Sequence, residues 1–518
     1  VRREGWRRRI VKRFATLFYV LVAVLASAPA WIVRYPPLED LPFHLSTLRQ
    51  IHSFHDPQYG FDKDFFLNLG GTQYALYYII GDVIAHVLGV RWATIAMMCI
   101  YLGGTPLALR LLLRELGKDE RLCIFVVPLL VNSMFIIGLL PFVFGIPLMF
   151  LAWALSVRWF YAPSPLTVGT PKQTRIRSLK LGIGLAALAV ALFYAHVFAY
   201  GLFGVGFAAM FPWGKPRKYL VSGAPVVPSL LCVLWWTKAS AQGQESFGAL
   251  GKSGAHAPFL EGIRNVAQWT CDVFRDSSDE RTWILLALLV VLAIGLGQGA
   301  RERVRPELRG FVVVPIVCTI LYFVTGDMLG DVWLFSQRFP VPALMTAIPF
   351  LPMRRGASGL VVTLLALALA IGSTVNVCSH FIQFQLEEVG AIDEAIAKMA
   401  PGKHVAALIY DRGSSVVNMS PFLHFGSYYQ ADKGGVVQFT NSGALYWPVR
   451  FKEGHYPPPG KRPRLRWEWT PEQVPISELY PYYDYVLVRG NGFQAPRGSF
   501  HVIFHGDRWT VWQRDGAT

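Results

Sequence analysis

FATLFYVLVAVLASAPAWIV, residues 14–33, followed after Arg34-Tyr35 by Pro36-Pro37-Leu38-Glu39-Asp40-Leu41-Pro42-Phe43-His44, decides the architecture. The first part is an apolar run that meets the bilayer requirement of about 20 residues. Arg2, Arg3, Arg7, Arg8, Arg9, Lys12 and Arg13 precede it, so the positive-inside rule sets the N-terminus in the cytoplasm. Ala26-Ser27-Ala28 has the look of a processing site, but Pro29 and the length of the run favour an uncleaved anchor. The second part then sets two adjacent carboxylates and a histidine, held by prolines, at a membrane surface.

The rest of the chain has the same character. With 518 residues, 53% of them hydrophobic and only 16% charged, the composition is that of a polytopic α-helical membrane protein. Further apolar runs lie near residues 92–113, 122–138, 141–160, 180–195, 197–212, 220–236, 283–298, 311–325, 340–353 and 358–379, for about eleven spans in all. The net charge of +16 comes largely from short clusters between these runs, where headgroups and topology explain it, so a nucleic-acid partner is excluded. Basic residues at Arg110/Arg114/Lys118/Arg121, Arg158 to Lys180, Lys215/Arg217/Lys218, Arg301 to Arg309 and Arg354/Arg355 fall on one side if residues 74–90 do not fully cross. An odd count of spans then puts the C-terminus outside. Six cysteines without CxxC spacing bind no zinc.

The run 74–90 is the weak point, because Asp82 and His86, one turn apart on one helix face, are costly at mid-bilayer. A juxtamembrane helix is the cheaper placement. From His380 onward charges, prolines and turn signals appear, which divides the chain into a multi-span part, 1–379, with a long first outer loop, 34–73, and a small extracytoplasmic α/β domain, 380–518. A helix is expected over 387–400, and strands at 405–410, 436–440, 485–489, 500–504 and 509–514. Residues 452–475, rich in Pro, Arg and Trp, read as an irregular surface segment.

Pro42 suits a first helical turn, so a helix begins near Leu41 with Asp40 as its cap, and Leu41, Leu45, Leu48 and Ile51 give it one apolar side to lay along the bilayer. Asp40 and His44 are then neighbours at the membrane surface, where a carboxylate can take a proton from an attacking hydroxyl. The plainer reading is a helix cap and a headgroup anchor. His196, between two short apolar runs, either faces a polar cavity or is satisfied by a neighbouring helix.

The acidic segment resembles the carboxylate motif in the first extracytoplasmic loop of the GT-C superfamily of membrane glycosyltransferases. Leu76-Tyr77-Tyr78, Leu88-Gly89-Val90-Arg91-Trp92-Ala93 and Leu112-Leu113-Arg114-Glu115-Leu116-Gly117 are similar to a pattern of its protein-mannosyltransferase-like and aminoarabinose-transferase-like branches. Ser336-Gln337-Arg338-Phe339-Pro340-Val341-Pro342 is similar to their late Arg-Phe/Tyr segment. The resemblance implies a polyprenyl-phosphate-linked sugar as donor and a glycan, lipid or protein hydroxyl as acceptor, at the outer face of the cytoplasmic membrane. It further implies Asp40 as general base, Glu39 as its neighbour or alternative, His44 in support, and Arg338 on the leaving phosphate, a role that suits the permanently charged fork of Arg. His196, Asp82 and His86 are further candidates to face substrate. The superfamily's second acidic group has no single match, so a divalent metal, Mg²⁺ or Mn²⁺, stays open. A transporter or lipid flippase with an outer sensing domain, or a non-catalytic envelope scaffold, are the alternatives.

Overall fold

The computed structural model describes residues 2–161, 171–248, 259–297, 306–329, 332–458 and 466–516. Among them six helices are long and apolar enough to cross a membrane: 90–115, 140–161, 178–195, 216–239, 278–297 and 357–387. Four shorter apolar helices, 16–30, 75–88, 197–210 and 309–324, accompany them.

Two of the runs expected to span do not form single long helices. Residues 122–138 divide into a 3₁₀ segment, Glu120–Leu129, and a short α-helix, Ser133–Ile137. Asn132 makes the break: its side chain accepts from the amides of Met134 and Phe135 and starts the second helix. This run is almost wholly buried, so its hydrophobicity reports a protein core rather than a lipid contact. Residues 340–353 likewise form only the eight-residue helix Pro340–Ala347 and a 3₁₀ turn. The run at 75–88 ends at Gly89, whose φ of 80° few other residues adopt, and the chain turns directly into the helix that follows.

Basic residues from separate elements gather at one end of the bundle. Arg110 and Arg114 both bind Glu120, Arg158 pairs with Glu115, and Arg121 pairs with Asp119 while donating to the Arg354 carbonyl.

The C-terminal sheet has five strands in the spatial order 436–437, 404–409, 485–489, 509–514, 500–505. The first three are parallel to one another, and 509–514 runs antiparallel to both of its neighbours, 485–489 and 500–505. The strand positions expected from the sequence are those observed, give or take a few residues. The expected helix over 387–400 is shorter, Ile392–Lys398, because the last long apolar helix continues to Glu387.

The helix Leu41–His52 corrects the picture of a helix lying on lipid. Leu41 through Leu48 and Gln50 are all buried, because the C-terminal region covers the face that periodicity assigns to solvent. Ser46 donates to Gln430, Thr47 accepts from Trp447 Nε1 and Arg49 donates to the Ala431 carbonyl. Farther along the same loop, Phe65–Leu67 pairs antiparallel with Val449–Phe451. Residues 34–73 and the C-terminal region are thus one packed layer.

Candidate active site

The backbone of Glu39 and Asp40 is built onto a helix end. The last carbonyls of a helix lack internal partners. Those of Ile136 and Ile137 accept from the amides of Glu39 and Asp40, each at 3.0 Å. Gly138 makes this possible: its φ is +89°, and a Cβ there would lie 2.8 Å from the Asp40 nitrogen. The Gly138 carbonyl accepts from His44 Nε2 at 2.9 Å, and since a carbonyl only accepts, the proton of the neutral ring sits on Nε2. Nδ1 must then accept from the Tyr78 hydroxyl, at 2.7 Å. Burial lowers the pKa of His44 to about 4, so the ring is a neutral strut that fixes the helix against Gly138.

Asp40 occupies the N-cap position but its side chain caps nothing. The carboxylate instead meets His424 Nδ1 at 2.9 Å as an ion-pair contact that is not aligned along the N–H. On the far side of the ring, Nε2 bonds Glu468. Phe43 stacks on the same imidazole with centroids 3.8 Å apart. Burial opposes a charge on His424, but Glu468 and Asp40 together outweigh it and raise its pKa to about 10. At neutral pH the ring is an imidazolium between two carboxylates. Asp40 keeps 20% of its side chain exposed and so remains reachable.

Glu39 is buried beside it and accepts from the Ser420 amide. Burial pushes its pKa up, His424 opposes this and Asp40 adds to it, for a value of about 7. Glu39 therefore changes protonation near neutral pH, the property expected of a group that exchanges protons with substrate.

Arg338 and His196 come together although 142 residues separate them: Nη1 of the arginine lies 3.1 Å from Nε2 of the histidine. Arg338 also donates to the carbonyls of Leu334 and Trp333 and lies over the Phe142 ring. It interacts with Tyr74 and is in electrostatic reach of Asp40. Among the described residues no carboxylate pairs with it, although it is only 6% exposed. His196 Nδ1 accepts from the Phe198 amide and caps the helix Val197–Met210. An arginine only donates, so Nε2 and Nδ1 each face a donor, and a neutral ring, which carries one proton, accepts from only one of them.

Asp82 and His86 do not join this group. They lie at the other end of the Leu41–His52 helix, where Asp82 accepts from His52, and neither is deep in a central cavity. A cavity lined by Val127, Phe274, Asp279, Trp283, Asn376 and Val377 includes neither Asp40 nor Arg338 in its lining. For Mg²⁺ or Mn²⁺ the oxygens at the site are poorly arranged, since Asp40 and Glu468 are bridged by a cationic ring rather than converging on one point.

Sequence reasoning missed His424 and Glu468. Neither stands in a motif, and Glu468 falls in the segment read as irregular, where it lies on the four-residue helix Arg466–Trp469.

By sequence the chain matches no family model and no curated relative. In three dimensions it has the fold of the GT-C glycosyltransferase ArnT, the aminoarabinose transferase. It superposes on ArnT from Cupriavidus metallidurans in the apo state with a TM-score of 0.58 at 12% identity, covering 97% of this chain and 98% of that one. The same protein bound to undecaprenyl phosphate superposes with a TM-score of 0.58 at 11% identity over the same shares.

Proposed function

We propose that the chain is an inverting membrane glycosyltransferase that moves a sugar from a polyprenyl-phosphate donor to a hydroxyl of an envelope glycan, lipid or protein. It resides in the cytoplasmic membrane and crosses it many times, residues 1–379 forming the multi-span part and residues 380–518 an extracytoplasmic domain. The acceptor oxygen attacks the anomeric carbon, Asp40 takes its proton, and the bond to the phosphate oxygen breaks. Arg338, with His196 beside it, receives the phosphate that leaves. His424 positions Asp40, and Glu39 is the alternative base. No step is routed through Mg²⁺ or Mn²⁺, for which the oxygens of Asp40 and Glu468 are poorly arranged.

The observation that supports this reading most is Arg338, buried without a carboxylate partner among the described residues and bonded to the His196 ring. A buried cation with no counter-charge is costly, and a bound phosphate group removes the cost with charge-assisted hydrogen bonds. The neighbour bound to undecaprenyl phosphate agrees with such a ligand.

The test is transfer of radiolabelled sugar from polyprenyl-phosphate donors in proteoliposomes. Transfer by the native chain and its loss in Asp40→Asn with Glu39→Gln is the expected result. Undiminished turnover by that double variant would remove the mechanism.

A further inference from the structure

The C-terminal end of the helix Leu41–His52 carries a second histidine–carboxylate group that the proposed reaction does not use. His52 Nδ1 lies 2.7 Å from Asp82 Oδ1, and His86 Nδ1 lies 3.7 Å from the same oxygen. The two imidazoles meet edge to face with centroids 4.7 Å apart. One ligating atom from each residue can be chosen so that all lie within 4.8 Å of one another, and this is the only such cluster among the described residues.

We propose that His52, Asp82 and His86 form a divalent transition-metal site, with zinc the best fit, that ties the Leu41–His52 helix to the helix Ala75–Leu88. Two imidazoles and one carboxylate are a donor set that suits zinc and is too rich in nitrogen for Mg²⁺ or Ca²⁺. Asp82 and His86, four residues apart, share one face of a helix, a spacing that lets two side chains bind one ion. His52 enters from the facing helix, so the set is tertiary and closes only when both helices dock.

The exposure is graded in the same sense. His52 and Asp82 are 21% and 26% exposed, whereas His86 is 65% exposed and can swing. A tetrahedral zinc needs ligand atoms about 3.4 Å apart, so a rotation of His86 that releases its Nδ1 from the Asp82 carbonyl, 2.8 Å away, closes the site and leaves the fourth position to water. The metal replaces the hydrogen that His52 shares with Asp82, the imidazole shifting that proton to its other nitrogen. One carboxylate against a divalent ion leaves one positive charge, which the open, hydrated side can accommodate.

Along the helix His52 lies twelve residues from Asp40, about 18 Å at 1.5 Å per residue, so this ion would not touch the reaction proposed above. Its effect would be mechanical, holding the helix that carries Asp40 and His44 at its far end.

The test uses the full-length protein in nanodiscs, stripped with chelator and titrated with Zn²⁺ against a competing dye, and with Co²⁺ followed by its visible spectrum. One equivalent of zinc, a tetrahedral Co²⁺ spectrum and a rise in melting temperature with Zn²⁺ but not Mg²⁺ are expected. His86→Gln, at an exposed position that folding tolerates, should weaken zinc binding at least about tenfold, and His52→Ala with His86→Ala should abolish it. His424→Asn should leave it unchanged. Zinc binding that survives the double variant, that disappears in His424→Asn, or that is absent from the native chain overturns the proposal.

Discussion

The helix Leu41–His52 has a carboxylate and a histidine at each end, and the two ends differ in everything around them. At its start Asp40 meets His424, a ring 7% exposed that Glu468 closes from behind and Phe43 covers. At its finish Asp82 meets His52 and His86 with an open side to solvent. The residue types are alike, so the difference lies in what encloses them. Two carboxylates on one buried imidazole hold it charged and immobile, which suits orientation of a base. Three groups around an open corner leave room for an ion.

The largest effect that would break this contrast is at Asp40. Asp40→Asn should lower kcat by about 10²–10⁴-fold with little change in KM, whereas Asp82→Asn should not approach that loss. Equal losses in steady-state transfer assays would erase the distinction between the two ends. Next comes Arg338→Lys, which keeps the charge but loses the planar fork. A drop of about 10–100-fold in kcat/KM is expected, together with weaker retention of polyprenyl phosphate in a binding assay. Full activity would show that the fork does not meet the donor.

Gly138→Ala sharpens the role of the backbone beneath Asp40. The new Cβ would strike the Asp40 nitrogen at 2.8 Å in a positive-φ position. About 1–3 kcal/mol of destabilisation is expected, with activity lost beyond what stability explains. Thermal melts and transfer rates measured together check this.

The smallest effect is in pH dependence. His424 has its pKa raised to about 10, above the ordinary histidine value of 6.5. The folded state therefore holds this proton more tightly than the unfolded chain. Its stabilisation is fully present below about 6.5 and is lost as pH rises toward 10. The melting temperature should fall by about 3 °C or more across that window, and His424→Asn should flatten the fall. Glu39, raised to about 7, adds a loss of the same sign between 4.5 and 7. His44, lowered to about 4, acts oppositely, its contribution being lost as pH falls from 6.5 through 4.

Much of this was legible in the chain. The membrane class follows from apolar runs, because a bilayer demands length and hydrophobicity that one strand of sequence displays. The strands at 485–489 and 509–514 follow from local pattern and turn residues. The start of a helix at Leu41 follows from Pro42, since proline favours the first turn. Asp40, Glu39 and His196 were singled out by residue type and place, and Arg338 by the likeness of its segment to the GT-C pattern.

What tertiary structure decided is which of these groups meet. The burial of 122–138 inside protein rather than lipid could not be read, since both environments select the same residues. The carboxylate of Asp40 left its cap for His424, and Arg338 found His196, through contacts that no local periodicity encodes. Local sequence sets the conformation of each segment through sterics and hydrogen bonds along the backbone. The site forms between segments hundreds of residues apart, and only their packing determines its distances, its burial and so its charge states.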